Sequence, residues 1–237
     1  MPAVPKRRST RPVTVPTILA ELRRKGSRRN RDGMARYAIV SPKVFGVSVA
    51  TIRHIAKGIG RDHSLARGLW TCGWYEARML TAFVADPARV TPAQMDRWAS
   101  DFDNWAICDT MCFHLFDKVP HAWGRITAWS RRREEFVKRA AFALIAGIAL
   151  HDKQEPDARF LRSLRLIERA AADERNFVKK GVSWALRSVG HRNGALHAAA
   201  VCTATGLSTS ADPSARWIGK DALRDLMRPQ VTRRFAG

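Results

Sequence analysis

From residue 34 onward, apolar side chains recur every three or four positions, the spacing that gives a helix one buried stripe. The pattern is broken by turn signals at Ser41-Pro42, Gly58 to Gly60, Asp86-Pro87, Thr91-Pro92, Val119-Pro120, Gly190 and Asp212-Pro213. No alternating run calls for a strand. The spacing predicts paired helices over 62–72 with 74–86, 92–100 with 104–118, 121–130 with 132–151, 157–171 with 174–189, and 191–206 with 214–228. Successive pairs advance by about thirty to forty residues, the period of HEAT or armadillo units that bury an apolar face only by stacking on their neighbours. The expected fold is all-α, a right-handed superhelical solenoid of HEAT-like two-helix repeats over 34–237. Its concave, basic surface would come from the second helix of each pair, and a non-repetitive helical bundle is the competing architecture. Residues 1–33 are rich in Pro, Arg and Lys, with one apolar interruption from Ile18 to Leu22 long enough for a brief helix. They read as a largely flexible basic arm, either binding a polyanion or solvated without a role.

Two of the helices carry candidate chemistry. Trp105 to Phe116 is apolar almost throughout, yet holds Asp109, and an unpaired carboxylate among aromatic side chains is costly unless a partner or a cationic ligand satisfies it. Trp105 and Asp109 are an i, i+4 pair sharing a face, with Phe113 and Phe116 close on the wheel to lower the local polarity. Arg139, beside Lys138 at the start of a later helix, is expected either on a phosphate or on Asp109 as its counter-ion, and in the second case Asp109 reads as a structural residue. In the helix from Glu174 to Val189, Val178, Val182, Leu186 and Val189 line one side, while Lys180, Trp184 and Arg187 line the other. An indole between two cations suits a nucleotide base or sugar, although packing on the next repeat is the plainer alternative.

Composition narrows the partner. Lys and Arg outnumber Asp and Glu by 42 to 21 over 237 residues, a formal charge of +21, so a polyanion is the natural ligand and nucleic acid the first candidate. A membrane surface is the other polyanion, but the longest apolar run, Ala140 to Leu150, falls short of the roughly 20 residues needed to span a bilayer. Arginines interrupt the N-terminal segment where a secretory signal would need an apolar stretch, so a cytoplasmic, bacterial-type nucleoid-associated location is expected. Cys72, Cys108, Cys112 and Cys202 form no CxxC pair and read as reduced, small hydrophobes. The seven histidines are scattered, with no metal-ligand spacing, so neither metal nor cofactor is expected.

Taken in order, several segments resemble one family: Met34, Ala35, Arg36 and Tyr37 followed by Phe45, Gly46 and Val47; Trp105-x-x-x-Asp109; Phe136 to Phe142 around Arg139; and Phe177 to Arg187 around Trp184. Over about residues 34–228 they resemble the AlkD-type DNA alkylation-repair glycosylases. The resemblance implies a HEAT-like solenoid that removes cationic alkylpurines, of the 3-methyladenine and 7-methylguanine type, from double-stranded DNA without flipping the base, acting as a monomer in base excision repair. It assigns Asp109 as the catalytic carboxylate, Trp105 and Trp184 as the site tryptophans, and Arg139 and Tyr37 as DNA contacts. Lys138, Lys180 and Arg187 are expected on phosphates beside them. Ala106 departs from the family pattern, which often has a second acid there. The physical chemistry agrees with this reading, because a cationic purine leaves without a general acid and needs only its sugar cation stabilised and a water oriented. No lysine is placed by the motifs for a Schiff base, Lys138 being the one that most tests this, so a monofunctional hydrolase is expected. The rivals are a non-catalytic protein that binds damaged or branched DNA by shape, and an ordinary HEAT protein-interaction scaffold.

Overall fold

A computed structural model of the protein describes residues 13–235. Among these residues there are helices and no strand. They begin with α1 (Val15–Lys25), α2 (Arg28–Ala35) and α3 (Val49–Ile59). Two-helix units follow: α4 (His63–Thr71) and α5 (Tyr75–Val84), α6 (Pro92–Ser100) and α7 (Trp105–His114), α8 (Ala122–Trp129) and α9 (Glu135–His151), α10 (Asp157–Ala170) and α11 (Asn176–Gly190), α12 (Gly194–Ser208) and α13 (Pro213–Leu226). A short α14 (Pro229–Thr232) and a 3-10 turn (Arg233–Phe235) come last among the described residues. The five expected pairs are these five units. Local chemistry sets many of the starts, since Ser48, Asp62, Thr91, Asn104, Asn193 and Asp212 each accept a backbone N–H from the first turn of the helix they cap.

The second helices form one continuous row, α3, α5, α7, α9, α11 and α13 each packing on the next, while the first helices lie in an outer row. Between the rows runs a chain of aromatic rings. Trp70 lies 5.4 Å from Trp98, Trp98 6.4 Å from Phe116, and Phe116 5.8 Å from Trp129. The indole N–H groups of Trp70 and Trp129 are satisfied by Asp101 and Asp96, which lets these large rings enter the core without an orphaned donor. Helix α9 is the central member, with Ala140 to Ala146 wholly buried. Phe116 belongs to this core and not to the polar face of α7, a correction to the sequence expectation. The helix ends at His114, and Leu115 turns the chain before a 3-10 turn at Phe116–Lys118.

The N-terminal segment also differs from expectation. In place of a largely flexible arm over 1–33, residues 15–25 form a helix held by a Thr14–Thr17 capping box, and it docks on α4 with Ile18 and Leu22 buried. Those two residues are spaced i, i+4, so both reach the core while the arginines stay outside, and the high cation count obscured this stripe. Residues 1–12 of the expected arm lie outside the described residues. Helix α2 buries nothing and is tied down by its start, where Ser27 N–H and Asn30 Nδ2 both donate to the carbonyl of Gly46. None of the described helices is long and apolar enough to cross a membrane.

Candidate active site

Helix α7 is two-faced in a way its composition hides. Ile107, Cys108, Met111 and Cys112 are fully buried, and the two thiols donate to the carbonyls of Phe136 and Ala140 on α9. Trp105, Asp109 and Phe113, spaced by one turn, make the other face. Asn104 caps the helix through Ile107 N–H at 3.0 Å, which sets Trp105 in its first turn. The indole N–H of Trp105 donates to the carbonyl of Tyr37 at 2.8 Å, joining α7 to the turn after α2, where the Tyr37 side chain is 69% exposed.

Asp109 meets Arg139. The guanidinium donates from Nε to Oδ1 at 2.8 Å and from Nη2 to Oδ2 at 2.7 Å, and its Nη1 donates to the carbonyl of Phe177 on α11 at 2.7 Å. One arginine of α9 therefore ties α7 to α11. Gly181 of α11 faces its stem, and a Cβ there would stand 3.4 Å from Arg139 Cγ. Burial pushes the Asp109 carboxyl above the ordinary carboxylate value, while the hydrogen bonds and charge of Arg139 pull the other way. Of the two placements open for Arg139, the structure has the carboxylate.

Trp184 stacks on Phe113, with ring centroids 4.7 Å apart and planes 14° from parallel. These rings belong to α11 and α7 and meet across α9, where the small Ala146 and Gly147 leave the room. The other edge of Phe113 meets His151, whose Nδ1 lies 2.6 Å from the buried carboxylate of Asp117. Residues 105, 109 and 113 of α7, with Asp117 in the 3-10 turn after it, thus carry an indole, an ion pair, an aromatic stack and an Asp–His pair in sequence. Only the first two were singled out from sequence as site residues, although the i, i+4 spacing extends through all four.

The expected phosphate contacts divide. On α11, Val178, Val182, Leu186 and Val189 are buried and Lys180 is exposed, as the helical wheel requires. Lys138 is instead paired with Asp173 at 2.8 Å, and Arg175 donates to the same carboxylate, holding its pKa far below the ordinary value. Arg187 lies 3.7 Å from Asp221. Lys180 and Tyr37 are the exposed members of the expected set.

With this geometry in place, a family model described as "DNA alkylation repair enzyme" matches residues 18–226. The chain belongs to that family. The match reaches back into α1, in keeping with its docking on the repeats. No curated protein matches the chain in sequence. A solved structure described as "a new family of proteins related to the HEAT-like repeat DNA glycosylases with affinity for branched DNA structures" superposes with a TM-score of 0.74 at 20% identity, covering 90% of this chain and 95% of that one. A designed armadillo repeat protein in complex with a (KR)4 peptide aligns over 79% of this chain and 78% of that one at 13% identity, with a TM-score of 0.39. The fold of this family member is the HEAT-like repeat of the first of these structures, and its row of second helices carries the Asp109 face.

Proposed function

We propose that the protein is a monofunctional DNA glycosylase that hydrolyses the N-glycosidic bond of cationic alkylated purines in duplex DNA. The observation that carries this reading is the single carboxylate of Asp109, pinned in one orientation by the two-pronged bond from Arg139 and flanked one turn away by Trp105. A carboxylate offers about four lone-pair positions, of which the fork takes two. In this scheme the remaining positions serve a developing sugar cation and the attacking water. An alkylated purine already carries positive charge, so it departs without a proton donor, and the work left to the protein is electrostatic and orientational. Trp105 adds the negative face of its ring beside the cation. Arg139 acts as a positioning residue in this scheme, because a carboxylate fixed beforehand needs no reorganisation as the bond breaks. In this reading the base need not enter a pocket, as the family resemblance implies.

A second reading has one specific observation in its favour. The charge of Asp109 is already matched by Arg139, which weakens the field it offers to a sugar cation, and the structural relative of this chain is described as having affinity for branched DNA. A non-catalytic protein that grips damaged or branched DNA would keep the same ion pair for structure alone. Release of 7-methylguanine from duplex DNA separates the two. The glycosylase reading expects release by the wild type and a loss of roughly 100- to 1,000-fold or more in Asp109→Asn, the scale of removing one preorganised electrostatic group. Base release by Asp109→Asn equal to that of the wild type overturns the mechanism. Tight DNA binding by the wild type without any release favours the second reading.

A further inference from the structure

On the outer row, away from the Asp109 face, α8 and α10 leave a groove of about 360 Å³ between them. One side is Trp123, Gly124 and Thr127 of α8, and the other is Arg162, Ser163 and Leu166 of α10. Trp123 and Leu166 are half-buried, so the groove has an apolar lining that reaches the surface. Gly124 stands inside α8, where a glycine weakens the helix relative to alanine and a packing reason is expected. The described residues supply none, since an added Cβ would meet no atom within 4 Å. What Gly124 leaves is room over the helix backbone for another chain to come close.

Charge decides the kind of chain. Arg162, Arg165 and Arg169 are exposed, lie on one face of α10 at i, i+3 and i+7, and meet no carboxylate among the described residues. Arg159, by contrast, is already paired with Glu155 at 3.1 Å. A row of free guanidiniums beside an apolar hollow matches an acidic segment that carries an apolar residue, because carboxylates accept the two-pronged bonds that arginine gives. A nucleic acid matches it less well. The Trp123 ring is engaged by Phe160, 5.2 Å away at 79°, and by the Arg159 guanidinium at 6.0 Å, so it is no free platform for a base. We propose that this groove docks an acidic segment of a partner protein. An apolar side chain enters between Trp123 and Leu166, the main chain passes over Gly124, and carboxylates meet Arg162, Arg165 and Arg169. The groove lies on the other row from the proposed DNA contacts, so the partner and DNA can be held together. It is independent of base release at Asp109.

The test selects peptides from a random displayed library on the full chain, with duplex DNA in excess to occupy the basic surface of the second helices. Selected peptides should carry an apolar residue flanked by Asp or Glu. One of them, synthesised and labelled, should lose roughly tenfold in affinity by fluorescence anisotropy when that apolar residue becomes Ser, the scale of leaving such a side chain in water. Gly124→Leu fills the groove and puts a better helix former into α8. It should abolish peptide binding with a thermal midpoint no lower than that of the wild type. Arg162→Glu should weaken the peptide several-fold. Selection of no acidic peptide, or equal binding by Gly124→Leu and the wild type, overturns the proposal. Should Gly124→Leu unfold, unchanged peptide affinity in Arg162→Glu overturns it alone. An oligonucleotide whose binding falls with Gly124→Leu makes the groove a nucleic-acid site and likewise overturns it.

Discussion

Arg139 is 7% exposed and bonded to Asp109 twice and to Phe177 once, so its loss leaves a carboxylate that is only 17% exposed without a counter-ion. Arg139→Ala should therefore cost about 3–5 kcal/mol of stability in urea unfolding, the usual penalty for removing one member of a buried pair. Arg139→Lys keeps the charge but cannot form the fork, so it should retain more stability and still release base more slowly than the wild type. If Arg139→Lys were as active as the wild type, orientation of Asp109 by the fork would have no part in the chemistry. A second residue-scale effect belongs to His114, which leans on the Phe83 ring at 4.7 Å. Burial, with the nearby charges of Arg53 and Lys118, lowers its pKa from 6.5 to about 4. Between those values the unfolded chain binds a proton that the folded chain refuses, so stability should fall as pH drops from 6.5 to about 4. His114→Phe keeps a ring on Phe83 and cannot titrate, and unfolding midpoints across that window should show its slope reduced. At this scale the sequence exposed Asp109 as a charge needing a partner and offered Arg139 for it. It did not decide between the carboxylate and a phosphate, because both satisfy an arginine equally well on paper.

The helices and their pairing were legible because capping residues and apolar periodicity act within a few positions of one another. In the loop between α2 and α3, Phe45, Gly46 and Val47 were quoted only as part of a resemblance, and their chemistry lies thirty residues away. Glu76 at the start of α5 is fully buried and accepts the backbone N–H groups of those three residues, at 3.0, 2.6 and 3.1 Å to the same oxygen. Gly46 holds φ at +83°, and a Cβ there would come within 2.2 Å of the Ser27 carbonyl oxygen, so no other residue fits without moving α2. This clamp positions α2 and with it the turn whose Tyr37 carbonyl receives Trp105. Replacing Glu76 by Gln keeps an acceptor but removes the charge, and should cost about 1.5–3 kcal/mol in chemical denaturation, the worth of hydrogen bonds to a charged group. A Glu76→Gln midpoint equal to that of the wild type would mean that the loop is held by packing alone, chiefly the Phe45–Trp74 stack at 3.8 Å.

At the scale of the molecule, stacked repeats derive their stability from each unit's contact with its neighbours, so the first helix to dock matters out of proportion to its length. Helix α1 buries Leu22 completely beside α4. Leu22→Ala should lower the stability of the folded chain by about 2–5 kcal/mol, the range for emptying a buried leucine site, and be visible as a lower thermal midpoint. A freely flexible arm predicts no change at all, so this one variant distinguishes the two accounts of residues 13–33.

The sequence by itself determined the all-helical repeat, the five pairs, the buried stripe of α11 and the DNA-seeking charge, since these follow from local spacing and composition. The tertiary structure alone decided which cation met which acid, that Trp184 would stack on Phe113 across a helix of small residues, and that an arginine-rich start would dock. Asp109 and Arg139 are thirty residues apart, and Lys138 and Asp173 thirty-five. Such partners are chosen by the register of packed helices. A pattern read within one helix carries no record of that register until the neighbouring helix is in place.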